Sequence, residues 1–399
     1  MTIAVSEVNA GQTCVIIGAS HAGTQLSAQL RRAGWQGRIV MVGEEPQLPY
    51  QRPPLSKQFL TAEREEPDST DLRPAAFYDN ENIDLRLNVS ASALDIADRT
   101  VILDTGEALR YDHLALCTGA SVRRLALGDG LEGVCYLRTL ADAQAIRQSL
   151  SGVRNAVVIG GGYVGLEAAA GLSQRGVRVT LLERTDRVLN RVAGAQLSDY
   201  MAALHQRHGI NVVCNAHVIA INGKRQVESV TCADGQKFNA DLVIIGVGVV
   251  PNTRLAQNAG LRIENGVWVD EFCRTSEPFI YAAGDCASHP SNLYGRQLRL
   301  ESVQNANDQA RVAAMTIVGA NEKYRTVPWF WSDQFDIKLQ TAGLSTGFDQ
   351  TDVEGSLAAD SDGFVIRYYL NGRIIAADCV NRPREFMMIR KQLAEQSPA

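Results

Sequence analysis

The sequence of 399 residues has no C-x-x-C pair, no long apolar run and no marked excess of either charge. Each absence excludes a class of function. A membrane span needs about eighteen consecutive apolar residues, and no such run occurs. The formal charge of -5 excludes a chain that is basic as a whole, as a nucleic-acid-binding surface would require. The opening "MTIAVSEVNAGQT" lacks a basic flank and an apolar centre, so it does not read as a signal peptide. The expected compartment is the cytoplasm. Eight cysteines are scattered: Cys14, Cys117, Cys135, Cys214, Cys232, Cys273, Cys286 and Cys379. Their spacing suits neither an iron–sulfur cluster nor a local dithiol, and they read as small core or surface thiols. His205 and His208 are three apart on an expected helix, with no carboxylate or cysteine beside them. They read as a solvated helix face, and no metal is expected. If this chain moves electrons, a flavin has to hold them and the acceptor lies on another molecule.

What is present is a pattern that occurs twice. "TCVIIGASHAGTQLSAQLRRAG" reads as strand, turn and helix, with Ala22, Leu26 and Leu30 at helical spacing and Gly34 as a stop. "GRIVMVGEE" then reads as a second strand ending in acids, which completes a β-α-β unit. "NAVVIGGGYVGLEAAAGLSQRGVRVTLLER" repeats this order about 140 residues later, so the two are separate folding units rather than solenoid repeats. "LALCTGA", "DLVIIGVGVVPN" and "FIYAAGDCA" read as further apolar strands ending near glycines, and a helix is expected over about Glu301 to Val318. From Pro328 the texture changes to short alternating segments such as "FVIRYYL" and "RIIAADCV", which predict antiparallel strands. "TAEREEPDST" reads as a polar loop.

In "GGGYVG" the fingerprint glycines are Gly160, Gly162 and Gly165, with Tyr163 and Val164 completing the turn. The first glycine allows a tight turn, the second admits a pyrophosphate, and the third lets helix and strand pack closely. The helix start then offers N–H groups and a positive dipole end to phosphates. Glu183 ends the next strand, where it is expected to accept hydrogen bonds from an adenosine ribose. A 2′-phosphate there meets a carboxylate, which favours NADH over NADPH, although the adjacent Arg184 blunts the preference. In "GASHAG" the middle glycine is Ser20, but strand, helix and Glu44 supply the same context. Two such turns imply two dinucleotides and an electron path between them. "LPYQRPPLSK" carries Pro49, Pro53 and Pro54, which predict a stiff loop holding Arg52 and Lys57.

The order "GASHAG … PYQRPPLSK … CTGA … YLRTL … GGGYVGLE … LLER … GVGVVPN … YAAGDCA … ESVQNANDQAR … PWFWSDQ" resembles the FAD-dependent ferredoxin reductases of bacterial oxygenase systems. That group includes putidaredoxin reductase, the reductases of aromatic-ring dioxygenases, and rubredoxin reductases. The resemblance implies an α/β fold of the glutathione-reductase type: two Rossmann-like dinucleotide-binding domains and a small α+β C-terminal domain. It implies an FAD-binding domain split over 1–118 and 248–327, an NAD-binding domain over 119–247, and a third domain over 328–399. It implies FAD at the first turn and NADH at the second.

By the same resemblance, Gly18, Ala22 and Gly23 meet the FAD pyrophosphate and Glu44 its ribose. Arg52 and Lys57 sit beside the FAD, and Ala91 supplies a backbone contact to the adenine. Thr118 and Arg138 lie on the FAD side. Gly284 and Asp285 meet the ribityl chain, and Val303 faces the flavin ring. Gly248 completes the cofactor contacts. Catalytic roles fall to Lys57 and Glu167, expected to pair between the two cofactors, and to Trp331, which with Trp329 belongs to the aromatic segment and is expected to cover the flavin edge. Glu167 is expected near the start of its helix. The implied activity takes hydride from NADH onto FAD and passes single electrons to a [2Fe–2S] ferredoxin that feeds a P450 or Rieske-type oxygenase. Alternatives are a rubredoxin reductase, an NADH oxidase and a redox-dependent interaction protein resembling apoptosis-inducing factor. An acidic carrier predicts exposed arginines at the dock, with Arg73, Arg296, Arg299, Arg311, Arg382 and Arg384 as candidates.

Overall fold

The computed structural model describes residues 9–61, 70–358 and 361–396. Most of "TAEREEPDST" and the first eight residues of the opening segment therefore lie outside the described residues.

The strand Thr13–Ile17, which carries the apolar run Cys14–Ile17, is the centre of a five-stranded sheet. Across the sheet the order is Ile280–Ala282, His113–Leu116, Thr13–Ile17, Arg38–Val42 and Ile83–Arg86, with parallel pairing throughout. The run is apolar at every position because both faces are covered. Cys14 and Ile16 point into one core with Ile39 and Met41. Val15 and Ile17 point into the other with Val40 and Val42. Each such side chain taken out of water contributes roughly 1.5–3 kcal/mol.

The second sheet repeats this plan. Its order is Asn211–Val213, Arg178–Leu182, Asn155–Ile159, Leu242–Ile245 and Val134–Tyr136, again parallel. Val158 and Val157 alternate between its two cores. Where the chain crosses between the sheets, Ala120–Val122 and Val249–Pro251 pair antiparallel, with Pro251 opposite Ala120. Two three-stranded antiparallel sheets, over 91–110 and 218–239, were not anticipated from the sequence.

The third region is a five-stranded antiparallel sheet in the order Trp329–Gln334, Ile337–Gly343, Arg373–Val380, Phe364–Leu370 and Gln350–Gly355. The helix Pro383–Glu395 covers one face through Phe386, Ile389 and Leu393. The other face, with Leu339, Ile366 and Tyr368, shares a core with the helices of the second sheet. Among the described residues no helix is long and apolar enough to cross a membrane.

One local expectation gains detail and one needs correction. The stiff loop expected at "PYQRPPLSK" contains helical turns. Pro53–Ser56 form a 3-10 turn and Gln58–Thr61 a helical turn, with proline at the start where its missing N–H costs nothing. His205 is not on a solvated face. It is fully buried, and its Nδ1 and Nε2 lie 2.9 and 3.2 Å from the Met201 and Leu166 carbonyl oxygens, one of which accepts its N–H. His208 is exposed and stacks on Phe335 at 3.7 Å.

Candidate functional site

The two glycine turns are built alike. Gly18 N donates to Val42 O at 2.8 Å, and Gly160 N donates to Leu182 O at 2.8 Å. Both first glycines take positive φ, +116° and +111°, against a neighbouring strand end. A Cβ at Gly18 meets Cys117 O at 2.0 Å, and one at Gly160 meets Gly246 O at 2.3 Å. The third glycines are equally constrained: a Cβ at Gly23 or Gly165 lies 2.0 Å from the carbonyl oxygen of Gly18 or Gly160. The middle position differs. Gly162 is exposed, and a Cβ there has no protein atom within 4 Å. Ser20 fits the same position because its backbone is extended, with φ -141°, a region open to any residue.

The helices that follow, His21–Arg32 and Tyr163–Gln174, begin their backbone bonding with Thr24 N to Ser20 O and Leu166 N to Gly162 O, both at 2.9 Å. The preceding N–H groups point out of the helix ends and suit phosphate oxygens. A dinucleotide therefore fits both turns.

Glu44 is exposed just beyond its strand. Glu183 is more constrained. It accepts from Gly161 N at 2.7 Å, and from Thr185 N and Oγ1 at 2.8 Å. It thus ties down the glycine turn while remaining partly exposed. Ala91 opens a strand beside the Gly43–Glu45 segment, to which Val89 N and Asn88 N donate.

Around the first turn the charged groups form a chain. Arg52 pairs with Glu45 and donates to Arg138 O at 2.9 Å. Arg138 pairs with Asp285 at 3.0 Å and donates to Ala120 O at 3.0 Å. Thr118 Oγ1 donates to Asn252 O at 2.7 Å, which links the two crossing segments. Gly284, at φ +87°, lies between Ala22 and Ala306, so it joins the first helix to the helix Val303–Ile317. Ser302 caps that helix by accepting from Asn305 N at 3.1 Å, which leaves Val303 in its first turn. Gly248, at φ +95°, lies near Arg191.

Lys57 and Glu167 pair at 2.8 Å. The lysine follows the proline segment, and the carboxylate comes from the helix of the second glycine turn, so the pair joins the two units. Glu167 is only 4 % exposed. Ser56 Oγ donates to one of its oxygens at 2.5 Å, and Ser332 Oγ donates to the other at 2.5 Å. Glu167 is therefore not a free carboxylate near the helix start. It lies in the second turn and is held by three partners from two other segments.

Trp331 is not brought to this pair. Alternation along Trp329–Gln334 turns Phe330 and Ser332 toward the second helix and the two tryptophans the other way. Phe330 packs on Tyr163 at 4.4 Å, and Trp329 packs beside Trp331 at 5.7 Å and on Phe386 at 5.9 Å. Of the arginines, Arg296 and Arg384 are exposed. Arg299 does not fit the expected exposed dock: its side chain is 11 % exposed and bonds Glu301 at 2.8 Å. Arg311 pairs with Glu322 at 2.6 Å, Arg382 donates to Gly363 O at 3.0 Å, and Arg73 lies over Phe77 at 5.5 Å.

Residues 12–310 match the pyridine nucleotide-disulphide oxidoreductase family, and residues 329–399 match the reductase C-terminal family. The chain belongs to the pyridine nucleotide-disulphide oxidoreductases. It is 45 % identical to a ferredoxin–NAD(P)(+) reductase of Sphingomonas sp, over 96 % of this chain and 92 % of that protein. It is 42 % identical to rhodocoxin reductase of Rhodococcus erythropolis, over 96 % and 90 % of the two chains. Its structure superposes on putidaredoxin reductase in a covalent complex with putidaredoxin, with a TM-score of 0.94, 40 % identity and coverage of 97 % and 94 %. It is an oxidoreductase, and its cofactors are FAD and NAD(P)H. Although the family name speaks of disulphides, all eight cysteines here are free, and six are buried.

Ser56, Ser332 and Phe330 were missed from the sequence. Their signal lies only in adjacency, Ser56 before Lys57 and the other two inside "PWFWSDQ".

Proposed function

We propose that this chain takes hydride from NADH onto FAD and passes single electrons to a [2Fe–2S] ferredoxin serving a P450 or Rieske-type oxygenase in the cytoplasm. One observation carries the reading. Two equivalent glycine turns stand on two parallel sheets, and a buried Lys57–Glu167 pair bridges the units at 2.8 Å.

FAD belongs at the first turn, against Gly18, Ala22, Gly23 and Glu44, with Ala91 toward the adenine. Arg52, Lys57, Thr118 and Arg138 line its other side, and Gly284, Asp285 and Val303 close the ring end. NADH belongs at the second turn, with Gly160, Gly162, Tyr163, Val164 and Gly165 at the pyrophosphate, Glu183 at the ribose and Gly248 across the cleft. We place the unit limits at 118/119, 247/248 and 327/328. The first two fall beside the paired crossing strands.

When bound, FAD accepts hydride from NADH and releases electrons one at a time. The chain supplies placement. Hydride transfer asks only that donor and acceptor atoms approach to roughly 3–3.5 Å, with no acid or base. Glu167, fixed by two serines and Lys57, orients the nicotinamide end of the second helix. The Val303–Ile317 helix would direct its positive end toward charge on a flavin ring bound beside Val303. Trp331 belongs at the flavin edge, and the exposed Arg296 and Arg384 belong to the partner-facing side. With no local dithiol, the electrons leave to another molecule.

The test is NADH-dependent cytochrome c reduction with and without [2Fe–2S] ferredoxin or rubredoxin. Stimulation by ferredoxin alone supports the reading, and stimulation by rubredoxin alone replaces the acceptor. Rapid oxygen consumption with neither carrier points to an oxidase. A long-lived reduced complex with poor turnover points to an interaction protein.

A further inference from the structure

His21 is the first residue of the helix behind the first glycine turn. It is 9 % exposed, and among the described residues neither ring nitrogen has a hydrogen-bond partner. Its nitrogens are not among the sealed polar atoms, so they stay open to an incoming partner. Three segments bring charge to it: Arg52, Arg138 and Asp285. The cations are already engaged, Arg52 with Glu45 and the Arg138 carbonyl, Arg138 with Asp285 and the Ala120 carbonyl. The imidazole is not. The equivalent position in the second turn is Tyr163, whose ring is occupied by Phe330 at 4.4 Å. At this position the two turns differ, and only the first presents an uncommitted hydrogen-bonding ring.

We infer that His21 holds FAD, its ring hydrogen-bonding the cofactor beside the diphosphate at the helix start. The inference rests on the placement of FAD at the first turn. Burial, and then Arg52 and Arg138 against Asp285, push the His21 pKa down to about 4. An anionic diphosphate at the helix end opposes both effects and raises it. Binding of FAD then takes up a proton at His21, so retention strengthens as pH falls through the bound-state pKa.

The test is the rate of FAD release from the holoenzyme after dilution, read as the rise in flavin fluorescence between about pH 8 and about pH 6. Wild-type release slows severalfold over that range. His21→Leu releases FAD about tenfold faster, with no pH dependence. His21→Gln keeps a donor but cannot titrate, so its release lies between the two and is flat with pH, and it decides the matter if the leucine variant does not fold. Release and pH dependence unchanged in both variants overturn the inference. Glu44→Arg, at an exposed position beside the same turn, tests the placement independently. Faster release there with normal His21 variants removes only the role of His21, whereas wild-type release in all three removes the placement as well.

Discussion

Glu167 has more partners than a helix carboxylate usually finds. Lys57 neutralises it, and Ser56 and Ser332 occupy one oxygen each. Such a group is a fixed point, and removing its charge leaves Lys57 half-compensated in a largely buried setting. Glu167→Gln keeps the shape and is expected to slow flavin reduction by NADH about tenfold, with Kd for NADH little changed, in anaerobic stopped-flow. Asp378 is a second fixed point. It is fully buried between Thr341 Oγ1 and the Tyr368 hydroxyl, each at 2.6 Å, and Tyr368 in turn accepts from Gly194 N of the second unit. Burial raises its pKa from 3.8 to about 6. The folded protein therefore holds an extra proton between about pH 4 and about pH 6, and stability falls as pH rises through that window by about 2–3 kcal/mol. Asp378→Asn is expected to flatten that part of the Tm–pH curve. The Lys57–Glu167 pairing was legible only through the family resemblance, because no periodicity links residues so far apart. The serines were invisible for a related reason. A small hydroxyl beside a turn has no pattern of its own until the fold brings a carboxylate to it.

At the scale of elements, the glycine turns were the most legible feature, since their constraints are local. Gly18, Gly23, Gly160 and Gly165 each face a backbone oxygen of their own unit, so the spacing alone encodes the geometry. The turns also separate structural from ligand-facing glycines. Gly165→Ala puts a methyl 2.0 Å from Gly160 O and is expected to destabilise the protein by about 1–3 kcal/mol. Gly162→Ala meets no protein atom within 4 Å, so Tm is expected to stay put while KM for NADH rises about tenfold. Thermal melts with NADH titrations check both. The antiparallel sheets over 91–110 and 218–239 were missed because most of their strands are short or only partly buried, which weakens the alternation that marks a strand. His205 was misread because a polar residue counts toward a solvated face, whereas here the ring lies inside the core with two carbonyl oxygens in reach to accept its single N–H.

At the scale of the whole molecule, the third region is more than an appendage. Its sheet shares a core with the second unit, and its first strand supplies Ser332 and Phe330 to the site. Its other side presents Arg384 in the open. Arg384→Glu is expected to lower kcat/KM for an acidic ferredoxin about threefold or more at low salt and to leave NADH-dependent ferricyanide reduction unchanged, with the difference fading as ionic strength rises. The central claim is that electrons enter from NADH and leave singly to an iron–sulfur protein. The most direct measurement is anaerobic stopped-flow in two mixes, first NADH with the flavin-loaded protein, then the reduced protein with [2Fe–2S] ferredoxin. The account predicts rapid bleaching of the flavin in the first mix, and in the second its return together with bleaching of the ferredoxin, two ferredoxins per flavin. A flavin that NADH reduces but that no ferredoxin reoxidises would contradict it.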